Sequence, residues 1–117
     1  MSDKVLVIIL AGRSDMDRAK QGLTFTRVAK KMNLLSDVKL LFFGPGVQLL
    51  DPEDGSYAEL RPALRELTEL GVQVSACVSN VAKYGLGETL DRELVVAEEA
   101  AALITDHVKR GYQLLSF

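Results

Sequence analysis

The sequence predicts an α/β fold: a three-layer sandwich in which a mainly parallel five-stranded sheet carries helices on both faces. Three observations predict it. Short Val/Ile/Leu-rich runs alternate along the chain with longer segments whose apolar residues recur at helical spacing. The short runs are apolar almost throughout, as strands buried on both sides must be. Glycines such as Gly12, Gly44, Gly71 and Gly111 fall at the junctions. With 117 residues, 48% hydrophobic and 26% charged, the chain reads as one domain, residues 1–117, able to bury a core without staples. No repeat or low-complexity tract interrupts it.

Val5 to Leu10 is a continuous Val/Ile/Leu run and reads as the first strand. Ala11-Gly12-Arg13-Ser14 breaks it, and Ser14 or Asp15 caps a helix running from about Asp15 to Met32. On that helix Ala19, Leu23, Thr26 and Ala29 form one stripe, and Phe25, Val28 and Met32 form an adjoining one. So wide a face either packs deeply on the sheet or gives part of itself to another subunit. Asn33 to Asp37 are a loop, and Val38 to Phe43 the second strand, closed by a tight turn at Gly44-Pro45-Gly46. Val47, Leu49 and Leu50 follow, then the acidic, turn-rich loop Asp51 to Ser56. A helix over about Tyr57 to Leu70 shows Leu60, Leu64, Leu67 and Leu70 on one face. Pro62 belongs in its first turn or marks its beginning, because a proline lacks the N–H that an interior position needs.

The next strand organises the chemistry. Val72, Val74 and Ala76 alternate with Gln73 and Ser75, and the run ends on Cys77, the chain's single cysteine. Ser79 and Asn80 are N-cap types, so Val81 to Tyr84 reads as one or two helical turns, stopped by Gly85 and Gly87. Leu94-Val95-Val96 is a short fourth strand or a strand-like connection. Glu98 to Arg110 reads as a helix with Ala97, Ala101, Ile104 and Val108 along one side, and Lys109 and Arg110 suit the negative end of its dipole. Gly111 ends it, and Tyr112 to Phe117 forms a final apolar strand.

Composition excludes several functions. A net charge of −2 and a pI near 5.4 leave no clustered basic face for nucleic acid. One cysteine cannot form an internal disulfide. The first apolar run is too short to span a membrane, and the Met-Ser-Asp-Lys start shows no signal-peptide pattern. A cytoplasmic location is the resulting expectation.

In open parallel sheets ligands bind outside the carboxyl ends of the strands. The loops expected there are Ala11 to Asp15, Gly44 to Val47 and Cys77 to Lys83. Cys77 is the one nucleophile among them, with Gly12, Gly44, Gly46, Ser79, Asn80 and Lys83 as candidate binding residues. Neither common glycine pattern for phosphates is present, nor a nucleophile-elbow serine. His107, mid-helix and without a second His or Cys at ligand spacing, reads as a partly exposed helix residue, and Glu98-Glu99 as a solvated helix face. No metal is expected. A thiol where a strand hands over to a helix sits among free backbone N–H groups, which favour negative charge on sulfur. A free cysteine is also a common core filler. Both roles stand at this point.

The order of these pieces resembles the DsrE/DsrF-like family of small sulfur-relay proteins, which includes TusD-type subunits used in tRNA thiolation. The resemblance covers nearly the whole chain. It rests most on Phe42-Phe43-Gly44-Pro45-Gly46-Val47 and on Leu70-Gly71-Val72 leading to Val74-Ser75-Ala76-Cys77. Val78-Ser79-Asn80-Val81-Ala82 is more polar than the small-residue run of the TusD-type branch. The resemblance implies a sulfur-carrier or sulfurtransferase role in which Cys77 holds sulfur as a persulfide. It also implies protein donors and acceptors of sulfur and a homotrimer or homohexamer. Thiol–persulfide exchange calls for no cofactor. The alternative is a non-catalytic ligand-binding or assembly module of the same fold, with Cys77 as packing.

Overall fold

The computed structural model describes residues 3–117. Met1 and Ser2, on which the reading of the chain's start partly rests, lie outside the described residues. Among those described, the strands are β1 (Lys4–Ile9), β2 (Asp37–Phe42), β3 (Val74–Cys77), β4 (Val96–Glu98) and β5 (Gln113–Ser116). They form one sheet of order β4-β3-β2-β1-β5 in which every neighbouring pair is parallel. The helices are α1 (Met16–Lys31), α2 (Gly55–Glu69), α3 (Val78–Lys83) and α4 (Ala100–Lys109).

Register sorts the side chains. Val7 and Ile9 pair with Leu40 and Phe42, which pair in turn with Val74 and Ala76, so these six share a face. There α1 and α2 bury Ala19, Leu23, Tyr57, Leu60, Leu64 and Leu67, and the whole forms one apolar cluster. Each fully buried Leu or Phe contributes roughly 1.5–3 kcal/mol. The other face carries Leu6, Ile8, Leu41 and Cys77, clustered with Ala100 and Tyr112. Among the described residues only α4 covers it, on a crossover from β4 at one edge to β5 at the other. The helix starts beside Cys77 at the carboxyl ends of the strands and ends beside Tyr112 and Asp37 at their amino ends, so it runs back along them. One helix about 10–12 Å wide on five strands about 19 Å across leaves flanks open.

Several local expectations are corrected. Pro62 lies well inside α2, not in its first turn. The helix starts earlier because Asp54 Oδ1 accepts from the Ser56 N–H at 2.9 Å, and buried Tyr57 donates its hydroxyl to Asp91 at 2.6 Å. Pro62 is exposed, so its missing donor falls on the solvent side. Gly44-Pro45-Gly46 is no isolated turn: it opens a 3-10 run, Gly44–Leu50, that buries Val47, Leu49 and Leu50. The fourth strand begins at Val96 rather than Leu94, and Glu98 is its last residue, not a helix start. Glu99 caps α4 instead, accepting from the Ala101 N–H at 3.2 Å. That later start rotates the helix. Ala101 and Val108 are exposed, while Ala100, His107 and the half-buried Leu103 and Ile104 face the sheet.

His107 is buried, against the expectation of partial exposure. Its Nδ1 lies 2.7 Å from the Leu103 carbonyl, which can only accept, so Nδ1 carries the proton. Nε2 then accepts from Arg110 Nη2 at 3.1 Å. Both ring nitrogens are satisfied within their own helix end, so burial costs little. The Tyr112 ring stands edge-on to the imidazole at 4.6 Å, and its hydroxyl donates to Asp37. Burial, then the Asp37 carboxylate, pushes that hydroxyl up to about 12.

Candidate functional site

Cys77 is the last residue of β3 and the N-cap of α3, with φ −63 and ψ 117. The chain leaves β3 toward the α1/α2 side, where Val81 of α3 joins the large apolar cluster. It leaves the neighbouring β4 toward the opposite side, through α4. Cys77 and Glu98 are register partners at these two diverging ends. A parallel sheet opens a crevice where adjacent strands exit to opposite faces, and that point here is Cys77–Glu98.

The sequence-predicted residues fall into three groups. Gly44 and Asn80 are brought together: Asn80 Oδ1 accepts from the Gly44 N–H at 2.9 Å, tying the end of β2 to the helix that follows Cys77. Gly44 has φ +56, a region where glycine is unstrained. Gly12 and Gly46 serve close backbone approach. A Cβ at Gly46 would lie 2.0 Å from the Ile9 carbonyl oxygen, and one at Gly12 would lie 2.9 Å from that of Pro45. Their role is to seat the loop after β1 against the 3-10 run. Arg13 fastens the same loop through Asp51 at 3.1 Å and Asp54 at 2.7 Å.

Ser79 and Asn80 lie within α3 rather than capping it, because the helix already begins at Val78. Ser79 is exposed. Lys83 sits at the far end of α3, about 9 Å along the axis from the thiol end, with its ammonium 5.6 Å from the Tyr84 ring centroid. It is not placed to balance charge on the sulfur.

Sequence reasoning missed a polar cluster next to the thiol. Ser75, Cys77 and Glu98 share the α4 face. Glu98 Oε2 accepts from the Ser75 hydroxyl at 2.6 Å and the Gln73 amide at 3.1 Å. The clue was Ser75, a polar residue in the middle of a strand that is otherwise buried and apolar. Among the described residues no group of three or more His, Cys, Asp or Glu is arranged to hold a metal ion. No helix there is long and apolar enough to cross a membrane.

The model of the DsrE/DsrF-like family matches residues 3–117. No curated protein matches the sequence. Among solved structures, a conserved protein of unknown function from Bacteroides thetaiotaomicron is similar, with TM-score 0.81 at 15% identity, covering 98% of this chain and 95% of that one. The ychN protein of E. coli gives a TM-score of 0.75 at 17% identity over 100% of both chains. A protein of unknown function from Methanobacterium thermoautotrophicum gives 0.72 at 21% identity over 97% of this chain and 98% of that one. At these identities the likeness establishes the fold.

Proposed function

The chain belongs to the DsrE/DsrF-like family, and from that premise we propose that it is a small sulfur carrier working through a persulfide on Cys77. The observation that carries the reading is the place of the thiol: the last residue of β3, where β3 and β4 exit to opposite faces. The Cys77 thiolate attacks the outer sulfur of a donor persulfide, R–S–SH. A bond forms between Sγ and that sulfur, the donor's S–S bond breaks, and R–S⁻ leaves with the electron pair. The product is Cys77–S–SH, with no net oxidation or reduction. A second thiolate takes the sulfur off by the same step. Donor and acceptor proteins, a cytoplasmic location and no cofactor go with this proposal.

A second reading has its own support. Cys77 is 4% exposed and clusters with Leu6, Ile8, Leu41, Ala100 and Tyr112, which suits a packing cysteine in a binding or assembly module. Incubation of the native protein with inorganic polysulfide, followed by whole-protein mass spectrometry, separates the two. A carrier gains about 32 Da, one sulfur atom, and Cys77→Ser does not.

The proposal extends to a homotrimer or homohexamer. Its support is an apolar groove of about 380 Å³ along α1, with Phe25, Val28, Leu34 and Phe117 in its wall. Met32 and Leu34 stand 64% and 60% exposed. Light scattering that gives a monomer mass at micromolar concentration would remove this part.

A further inference from the structure

The flank that α4 leaves open toward β4 is a groove of about 400 Å³. Its floor is Lys39, Gln73 and Glu98 on three adjacent strands, and its wall is α4 from Glu99 to Arg110. Most of its charges are already engaged. Arg110 holds Asp106 at 3.0 Å and His107, and Glu99 caps its own helix. Two are not. Lys39 is half-buried, and among the described residues no acidic group lies within the 4 Å of an ion pair. Glu98 is half-buried and held by two neutral donors, with no cation beside it. Gln73 stands between them, in register with Lys39 through the Leu40–Val74 pairing and bonded to Glu98. The two lie two strands apart and four residues out of register, roughly 16 Å at the backbone, and the Glu98 side chain closes part of that gap by reaching back to the Gln73 amide beside Lys39. Neither satisfies the other.

A concavity with an uncompensated cation at one end and an uncompensated anion at the other is matched by a small zwitterion. We propose that this groove binds an α-amino-acid thiol or its persulfide, carboxylate to Lys39 and ammonium to Glu98. Glu98 Oε2 is bonded to the hydroxyl of Ser75, two residues before Cys77 on the same face of β3, so an ammonium held there places a short sulfur-bearing side chain roughly 7 Å along the strand from Cys77. The groove's lining ends at Glu99, one residue before Ala100 of the thiol's own cluster. This rests on the carrier reading and names its donor class: a low-molecular-mass zwitterionic persulfide, which gives its outer sulfur to Cys77 and leaves as the thiolate.

The test compares three donors at equal concentration on the folded protein: cysteine persulfide, the uncharged persulfide of mercaptoethanol, and inorganic polysulfide. Loading of Cys77 is followed by the gain of about 32 Da. The expected result is loading about tenfold faster from cysteine persulfide than from the uncharged donor. Lys39→Met and Glu98→Gln each remove that advantage, with the rate from the uncharged donor as the reference within each variant. Equal rates from the zwitterionic and uncharged donors overturn the groove proposal and leave the carrier reading standing. Failure of all three donors ends the carrier reading instead. In that case calorimetric titration with S-methylcysteine decides the groove: binding lost in both variants supports it, and no binding to wild type overturns it.

Discussion

The two faces of one sheet are built to different standards. On the α1/α2 face, Val7, Ile9, Leu40, Phe42, Val74 and Ala76 meet two long helices in a continuous apolar core. On the α4 face a single helix covers part of the sheet, the buried cluster is small, and Ser75, Glu98, Gln73 and Lys39 sit beside it. Close-packed apolar layers supply stability, whereas polar groups next to an incomplete layer supply chemistry. The thiol lies on the second face. Even there α4 is fastened unequally: its C-terminal end is held by His107, Tyr112 and Asp37. Its N-terminal end, next to Cys77, has the Glu99 cap.

Substitutions can break or sharpen this contrast. The largest effect belongs to the dense face: Leu64→Ala leaves a cavity in a fully buried site and should cost about 3–5 kcal/mol in urea unfolding. Next comes Asp91, which anchors the segment between α3 and β4 to α2 through Tyr57 at 2.6 Å and Arg61 at 2.9 Å. Burial raises the Asp91 carboxyl, but the Tyr57 hydroxyl and the Arg61 guanidinium outweigh it and hold it below the ordinary carboxylate range. A lowered pKa gives stability that is present above the unfolded-state value and lost as pH falls through the folded-state one. Asp91→Asn should therefore cost about 1–2 kcal/mol at neutral pH, and its unfolding should vary less with pH below about 4 than that of wild type. Ile104→Ala, on the half-buried side of α4, should cost only about 1 kcal/mol. If it costs as much as Leu64→Ala, the two faces are equivalent and the contrast fails.

How far this contrast could be read from sequence depends on what each element answers to. Apolar runs such as Val5 to Ile9 and Val38 to Phe42 predict buried strands wherever they fall, and their parallel pairing follows from the helices between them. The position of Cys77 at a strand end was equally legible, because Val72 to Ala76 alternates and the cap-type residues Ser79 and Asn80 follow. The α4 face was not. Glu98 looks like a helix residue in a run of acidic and small residues, yet strand pairing with Cys77 claims it for β4. Its partners Ser75 and Gln73 lie more than twenty residues away, at separations of 23 and 25, beyond any local pattern. His107 likewise hides because its bonds run within its own helix end. Lys83 carries a suitable charge, and only the length of α3 shows that it sits at the end of the helix farther from the thiol.

The central claim is that the thin face exists to present a working thiol. The most direct measurement is whole-protein mass spectrometry of the native protein after inorganic polysulfide, with Cys77→Ser alongside. The account predicts a gain of about 32 Da in the folded wild type, reversed by a small thiol and absent in the variant. A native protein whose mass does not change, and which takes up sulfur only after it has been unfolded, would contradict it.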